Sequence, residues 1–205
     1  MALAVLRRRK FFTVISLFGI SFTLTILIVL AAFIDQVAGK TYPDRKRDRS
    51  LYLATMEGRV DRPEYHTSTG GSFSYYFLDH FAGGLRMPMA VAISSRSSAV
   101  NAYVGNKKLT IDVKYTNAAY WDVLDYVFTE GKPFGRREIE GAEPVAVISE
   151  DAKEAYFEDA SPVVGKTIEA GNLRYRVIGV VRTVPAFAPQ FYSDIYLPYT
   201  FNKGN

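Results

Sequence analysis

One continuous run without charged side chains, residues 11–34, constrains this chain more than any other feature. An α-helix rises about 1.5 Å per residue, so the run would be roughly 36 Å long as a helix. The hydrocarbon core of a bilayer is about 30 Å thick. Phe, Val, Ile and Leu dominate the run, and these side chains insert favourably into a bilayer. We therefore predict a transmembrane helix over residues 11–37.

The cations that flank the run set its expected orientation. Those immediately before it are Arg7, Arg8, Arg9 and Lys10. A short arm with packed cations resists translocation, so we expect residues 1–10 to form a cytosolic anchor and the chain beyond residue 38 to be periplasmic. Residues 40–49 also carry Lys and Arg, so the cation count alone leaves the orientation open. The alternative is a signal peptide cleaved within "QVAGK" at residues 36–40, although such peptides have apolar cores of only about 7–15 residues.

Small and hydroxyl-bearing residues share one side of the predicted helix. They are Thr13, Ser16, Gly19 and Thr23. At 100° per residue they fall within an arc of about 120°. Small residues let a second helix approach closely, so Ser16, Gly19 and Thr23 are candidates for helix packing. The alternative is that the hydroxyl groups bond only to carbonyl groups of their own helix.

Charge and cysteine content exclude several classes of function. The chain has 25 Lys and Arg against 21 Asp and Glu, and the arm holds four of the cations, so the rest is formally neutral. A neutral domain lacks the basic face that nucleic-acid binding needs. The arm itself suits contact with anionic membrane lipid. The chain has no cysteine, which excludes disulfides and thiolate metal sites.

The region after the helix mixes strand and short-helix patterns, which is typical of an α+β fold. Residues 38–49 are polar with Gly and Pro and are predicted to be a linker. The elements predicted beyond it are a strand at 50–58, a loop at 60–72, a helix at 74–84 capped by Ser74, a buried strand at 89–94, a hairpin at 100–116, a helix at 117–126 capped by Asn117, a loop at 130–141, a strand and a helix at 144–157 with Ser149 as cap, two strands at 165–184 and a last strand at 191–199.

No set of residues in the sequence indicates catalysis. "ASPVVGKT" at 160–167 resembles a phosphate loop, but such a loop needs a strand before it and a helix after it, and the prediction here is the reverse. His66 and His80 are the only histidines, and neither lies in a recognisable catalytic motif. Glu138 and Glu140 alternate in a predicted polar loop, where we expect them to be solvated. The sequence predicts no enzyme and no cofactor.

Tyr and Phe are frequent in the chain, with 14 of each. Two groups could form exposed patches for a partner: residues 75–77, and Phe187 with Phe191 and Tyr192. Packing in the core is the expectation for such residues by default.

Several segments, in order, resemble MacB-type (FtsX-like) ABC transporter permeases. "RRRKFFTVISLFGISF" resembles the entry to their first transmembrane helix. The segments that resemble their periplasmic core domain are "YTNAAYWDVLDY" (115–126), "EGKPF" (130–134), "EPVAVISEDAKEAYF" (143–157), "VGKTIE" (164–169) and "YRVIGVV" (175–181). Their order and spacing together carry the resemblance.

The resemblance implies the N-terminal portion of a permease subunit in the bacterial inner membrane. Such a subunit does not hydrolyse ATP, pairs with a second permease subunit and works with an ABC ATPase. ATP hydrolysis by that partner would move the periplasmic domain, for export or extraction of a substrate. Residues 50–205 would be the periplasmic core domain. The family has three further transmembrane helices, so we expect this chain to be a fragment, a truncated product or half of a split permease.

A second hypothesis is a single-pass, membrane-anchored periplasmic protein that binds a ligand or a partner and has no transport activity. The residue stripe on the helix and the ordered family segments favour the permease.

Overall fold

The structure is a computed structural model that describes residues 10–39, 42–62, 65–104, 107–158, 161–185 and 187–202. It divides into two compact units, Met1–Thr41 and Tyr42–Asn205. In the first unit, Lys10–Ala38 forms the 29-residue helix α1, which confirms the predicted apolar helix. Within it, Phe11–Asp35 is long and apolar enough to cross a membrane. Arg7, Arg8 and Arg9 lie outside the described residues.

The second unit contains nine strands and four short α-helices in its described part. The strands are β1 (Met56–Arg62), β2 (Tyr65–Gly71), β3 (Ser98–Val104), β4 (Lys107–Thr116), β5 (Phe128–Gly131), β6 (Val145–Ser149), β7 (Thr167–Ala170), β8 (Leu173–Val181) and β9 (Ile195–Pro198). The α-helices are α2 (Tyr75–Phe77), α3 (Tyr120–Val123), α4 (Arg136–Glu140) and α5 (Glu150–Phe157). A π-helical turn, Leu78–Ala82, follows α2, and 3-10 turns lie at Arg47–Arg49 and Tyr199–Phe201.

One mixed sheet organises this unit. Its strand order is β3-β4-β9-β6-β8-β5, with β7 paired to β8. The pairs β4/β9 and β6/β8 are parallel, and the remaining pairs are antiparallel. Strands β1 and β2 form a separate antiparallel hairpin. The predicted α+β class is therefore confirmed.

The sheet has apolar clusters on both faces, and β6 contributes to both. Ala146 and Ile148 belong to the cluster that includes Ala152 and Tyr156 of α5. Val145 and Val147 belong to the cluster that includes Tyr120 of α3 and Ile139 of α4. Successive side chains of a strand point to opposite faces, so these alternating residues place the two clusters on opposite sides. A strand covered on both sides reads as a continuous apolar run, as "VAVIS" does.

Several local predictions are confirmed by their capping and turn residues. The Ser149 hydroxyl accepts a hydrogen bond from the Ala152 N–H at 3.1 Å, and Ser74 does the same for Phe77 at 3.2 Å. Asn117 Oδ1 accepts from the Tyr120 N–H at 3.1 Å, but the helix predicted at 117–126 spans only Tyr120–Val123, and its N-cap residue is Ala119. The turn between β7 and β8 places Gly171 and Asn172 at positive φ, as its "AGN" sequence indicates. The predicted hairpin at 100–116 is formed by β3 and β4.

Four other local predictions are wrong. The strand predicted at 50–58 starts only at Met56, and the predicted loop at 60–72 largely forms the hairpin of β1 and β2, since cross-strand pairing overrides the turn-rich composition. Residues 89–94 form no strand apart from an isolated bridge at Ser94, and Met89 is exposed. The loop predicted at 130–141 contains α4.

The segment that resembles a phosphate loop lies between helix α5 and strand β7, in the order opposite to that of a phosphate loop. Gly165 has a φ of +94° just before β7. The segment therefore serves as a turn that leads into the sheet.

Candidate functional site: a clasp at the start of the second unit

The surface of helix α1 is apolar nearly all round, and two of its hydroxyl groups are bonded within the helix. Thr23 Oγ1 donates to the Gly19 carbonyl at 2.8 Å, and Thr25 Oγ1 donates to the Ser21 carbonyl at 2.8 Å. A Cβ added at Gly19 would meet open space, so a neighbouring helix could approach there. The packing role of Ser16, Gly19 and Thr23 stays a prediction.

Residues 42–53 form a segment that we call the clasp. In sequence, only residues 39–41 separate it from the last residue of α1, Ala38. Residues 38–49 read as a polar linker in the sequence, yet residues 42–49 are fixed to the rest of the second unit by main-chain and side-chain contacts.

Tyr42 begins the clasp and contacts two separate parts of the domain. Its hydroxyl donates to the Arg182 carbonyl at 2.8 Å and accepts from the Val127 N–H at 3.4 Å. Its ring meets the Tyr126 ring edge-on, with centroids 5.9 Å apart. Burial raises the pKa of Tyr42, while the bond from Val127 and the charge of Arg182 partly oppose this. The Tyr42 hydroxyl therefore stays protonated and able to donate.

Pro43 and Lys46 bind the loop that follows α3. The Asp125 N–H donates to the Pro43 carbonyl at 2.9 Å. Lys46 Nζ lies 2.9 Å from Asp125 Oδ1 and donates to the Asp122 carbonyl at 3.2 Å. Both charged side chains are about one-third exposed, so the ion pair alone contributes about 1 kcal/mol or less. The backbone bond beside it makes this a two-point attachment.

Asp44 and Tyr52 form a contact between the two halves of the clasp. Asp44 is buried, and the Tyr52 hydroxyl donates to its Oδ1 at 2.5 Å. The Tyr52 ring meets Phe191 edge-on at 6.2 Å. Burial, followed by the bond to Asp44, raises the pKa of Tyr52 to about 12. The bond gives the buried Asp44 side chain a polar partner, which burial of a polar group requires.

A network of tyrosine hydroxyls connects the clasp to the centre of the sheet. The Tyr120 and Tyr126 hydroxyls are 2.9 Å apart, and those of Tyr126 and Tyr196 are 3.3 Å apart. Tyr126 and Tyr196 also donate to the Phe191 carbonyl, at 2.7 and 2.9 Å. Tyr196 lies on β9, which has all four residues buried. Contacts of the clasp with Tyr126 and Phe191 therefore reach a central strand directly.

Glu130 is a second junction, on the side of the domain that carries α5. Its Oε1 accepts from Lys153 Nζ at 2.5 Å and from Ser161 Oγ at 3.2 Å, and its Oε2 accepts from the Val163 N–H at 2.9 Å. These bonds, that of Lys153 first, lower the pKa of Glu130. One carboxylate thus ties β5 to α5 and to the turn before β7.

Lys114 is a buried cation on β4. Its side chain is almost inaccessible, and its Nζ donates to the Gln190 carbonyl at 2.5 Å. Burial lowers the pKa of Lys114 to about 8, and the charge of Asp112 opposes this shift. The lysine holds the loop before β9, which also carries Phe191.

Comparison with known proteins decides the family. The sequence model of the MacB-like periplasmic core domain matches residues 13–203. The chain belongs to the family of MacB-like periplasmic core domains. The predicted resemblance is therefore confirmed, and the domain is of the kind found in ABC transporter permeases. The match does not favour the alternative of a single-pass, membrane-anchored periplasmic protein that binds a ligand or a partner without transport activity.

Curated relatives match part of this MacB-like chain. Macrolide export ATP-binding/permease protein MacB 2 from Yersinia pestis bv. Antiqua is 30% identical over 105 residues, which are 51% of this chain and 16% of that protein. The corresponding MacB from Escherichia coli K12 is 26% identical over 117 residues, or 55% of this chain and 18% of that protein. The match thus spans about one-sixth of the length of these relatives.

Solved structures share the fold of the MacB-like domain. The periplasmic region of MacB from Actinobacillus actinomycetemcomitans matches with a TM-score of 0.51 and 27% identity, covering 60% of this chain and 55% of that one. The extracellular domain of the noncanonic ABC-type transporter YknZ from Gram-positive bacteria has a TM-score of 0.51 and 22% identity, covering 62% and 63%. The second likeness concerns the fold alone.

The MacB-like domain places the residues singled out in the sequence at separate positions. His80 is exposed on the π-helical turn, and the side chain of His66 lies outside the described residues. Glu138 is not simply solvated: its Oε2 accepts from the Gly135 N–H at 2.8 Å, which lowers its pKa and caps α4. Phe191 is buried, whereas Tyr76 is 74% exposed.

Sequence reasoning missed the clasp, Glu130 and Lys114. Tyr42 and Tyr52 lie at either end of a mostly polar stretch with a proline, and such composition hides contacts with residues far along the chain. Lys114 alternates with Val113 and Tyr115, which suggests a solvent-facing side chain until the second apolar cluster is seen to cover that face. The local signal that could have indicated the clasp was the pair of tyrosines at the ends of the polar stretch.

Proposed function

We propose that this chain is the N-terminal portion of the permease subunit of an ABC transporter. In this proposal α1 crosses the inner membrane, Arg7, Arg8, Arg9 and Lys10 anchor it on the cytosolic side, and the MacB-like domain is periplasmic. ATP hydrolysis by a partner ATPase moves the domain for export or extraction of a substrate. The chain itself does not hydrolyse ATP.

The clasp is the observation that carries this proposal. The chain passes from α1 to residues fixed on the domain through residues 39–41 only. A displacement of α1 is therefore transmitted to the domain with little slack, because the next residues are bonded to the α3 loop and to Arg182. A long flexible linker would absorb such a displacement.

A second permease subunit is part of the proposal, packed along the small-residue side of α1. Gly19 offers open space, and Ser16 and Thr23 lie on the same side. Because the chain has no cysteine, one introduced cysteine reports on this contact without background. Gly19→Cys is expected to form a disulfide-linked dimer in membranes under mild oxidation. Ser21→Cys, at nearly the same depth and about 200° around the helix, is the matched control.

Purification from source membranes tests the partner ATPase. The tagged full chain, extracted in mild detergent, is expected to carry a second protein with vanadate-sensitive ATP hydrolysis. An Arg7–Lys10 variant with four glutamines is expected to lose correct insertion and with it the associated hydrolysis. A monomer without ATPase activity, together with equal crosslinking at Gly19→Cys and Ser21→Cys, would contradict the permease assignment.

A further inference from the structure

The clasp has an outer edge that its inner contacts leave exposed. Ser50 has an extended backbone, and residues 51–55 lie outside the helices and strands. Tyr52 is 48% exposed, with its hydroxyl on Asp44 and its ring against Phe191. Leu51 and Leu53 turn outward, and they are 87% and 60% exposed. Leu51 and Leu53 thus form an exposed apolar pair beside a mostly polar segment. An apolar environment outside the domain would stabilise this pair.

The same edge is basic. Arg45, Arg47 and Arg49 are exposed along the 3-10 turn and just before it. Two nearby acids are already engaged, since Asp44 is buried against Tyr52 and Asp125 is paired with Lys46. Asp48 is an exposed acid within the turn, and it reduces the excess of positive charge from the three arginines without cancelling it. Arg182 extends the basic surface, with its guanidinium 5.9 Å from the Tyr42 ring.

Chain connectivity limits how far this edge can lie from the end of α1. From Ala38 to Tyr42 the chain can extend by at most about 14 Å. A helix of 29 residues is roughly 43 Å long, which equals the thickness of a bilayer including its headgroup layers. The residue that ends α1 therefore lies near the headgroup layer if α1 spans the membrane, and Tyr42 is at most about 14 Å of chain away from it.

We infer that the outer edge of the clasp, residues 45–53, binds the surface of the leaflet in which α1 ends. Its arginines contact the phosphates of anionic phospholipids, and Leu51 and Leu53 enter the boundary between headgroups and acyl chains. This inference rests on the membrane span of the proposed function. Arginine suits the task because its guanidinium binds phosphate through several donors at once.

Anionic phospholipid is favoured over an acidic protein by the combination of the two features. Basic side chains next to exposed leucines are typical of segments that lie in a membrane interface. Each Lys or Arg near an anionic surface strengthens binding by about five-fold at ordinary ionic strength. Removal of two arginines should therefore weaken the contact by about 25-fold.

Fluorescence quenching tests the inference on the full chain in nanodiscs. Leu51→Cys and Leu53→Cys, in the natural cysteine-free chain, each accept one environment-sensitive dye. Val164→Cys, an exposed apolar position outside the clasp, is the matched control. The nanodiscs contain phosphatidylcholine with or without phosphatidylglycerol, and a quencher at a shallow acyl position.

With phosphatidylglycerol, dyes at residues 51 and 53 should be quenched several-fold more than the dye at residue 164. Replacement of phosphatidylglycerol by phosphatidylcholine, or the double change Arg45→Gln and Arg49→Gln, should abolish most of that difference. Quenching that is equal in both lipids and unaffected by the arginine changes would overturn the inference, as would no quenching at all. So would protection of the dyes only by an acidic protein from the source membrane.

Failure of this inference and failure of the proposed function give different results. Extraction of the wild-type chain from membranes by alkaline carbonate would overturn the membrane span and with it both proposals. Retention in the membrane without lipid-dependent quenching would overturn the inference alone. The glutamine changes are at exposed positions, so unchanged near-UV circular dichroism checks that the domain remains folded.

Discussion

Replacement of Tyr42 by Phe perturbs the clasp at its first contact and nowhere else. The change removes the hydroxyl that donates to the Arg182 carbonyl at 2.8 Å and accepts from the Val127 N–H at 3.4 Å. It keeps the ring that packs on Tyr126. A protein hydrogen bond contributes about 1 kcal/mol net, and the second bond here is long, so the expected loss is about 1–2 kcal/mol.

Amide hydrogen exchange measures this loss where it occurs. The Asp125 amide donates to Pro43 and the Val127 amide donates to Tyr42, so both report on opening of the clasp. A loss of about 1–2 kcal/mol corresponds to exchange roughly five- to thirty-fold faster at these two amides. For a domain of this size the melting temperature should fall by roughly 4 °C.

Tyr76→Phe is the control for this prediction, because Tyr76 is an exposed tyrosine outside the clasp. It should leave both the exchange rates and the melting temperature unchanged. The reasoning would be refuted if Tyr42→Phe left exchange at Asp125 and Val127 at wild-type rates, or if Tyr76→Phe accelerated it equally.

Three further predictions concern the junctions of the domain. Glu130→Gln should destabilise it by about 2 kcal/mol at pH 7, because charge-assisted bonds to Lys153 and Val163 are lost. Folding lowers the pKa of Glu130, so its contribution to stability is present above about pH 4.3 and disappears as the pH falls through the folded-state pKa. Denaturant melts from pH 3 to 7 should show this loss. The control Glu154→Gln, at an exposed position, should not change the stability. The pKa of Lys114 falls to about 8 on folding, so the unfolded chain binds more protons and stability should rise between about pH 8 and 9.5. Lys114→Met should flatten that rise. An unchanged slope of stability against pH would contradict the burial of this charge. Gly131→Ala should cost more than about 2 kcal/mol, since Gly131 has a φ of +66° and an added Cβ would collide with the Ile178 carbonyl oxygen, whereas Gly165→Ala at a φ of +94° meets open space and should cost about 1 kcal/mol in the same melts.

The sequence predicted those elements whose signals are local. The apolar run predicted α1, alternation predicted the hairpin of β3 and β4, and Ser149 marked the start of α5. Each of these depends on residues within one turn or one strand pair. The periodicity of the chain is sufficient for them because no distant contact competes.

The clasp and its tyrosine network could not be predicted because their partners are far apart in the chain. Tyr42 and Arg182 are 140 positions apart, and Tyr126 and Phe191 are 65 apart. A polar stretch with Pro reads as a linker unless those partners are known. The prediction of a loop where β1 and β2 form a hairpin was wrong for a similar reason, since cross-strand pairing orders these turn-rich residues.

The connection between α1 and the clasp is the centre of the functional account, and an insertion there tests it most directly. Six Gly and Ser residues are inserted within residues 39–41, or, as a control, in the turn between β3 and β4. The measurement is the rate at which Leu51→Cys reacts with a maleimide in the purified complex with its ATPase, with and without ATP. We predict that ATP changes this rate in the parent chain and in the control, and that the junction insertion abolishes the change while ATP hydrolysis continues. An ATP-dependent change that survived the junction insertion would contradict transmission through the clasp.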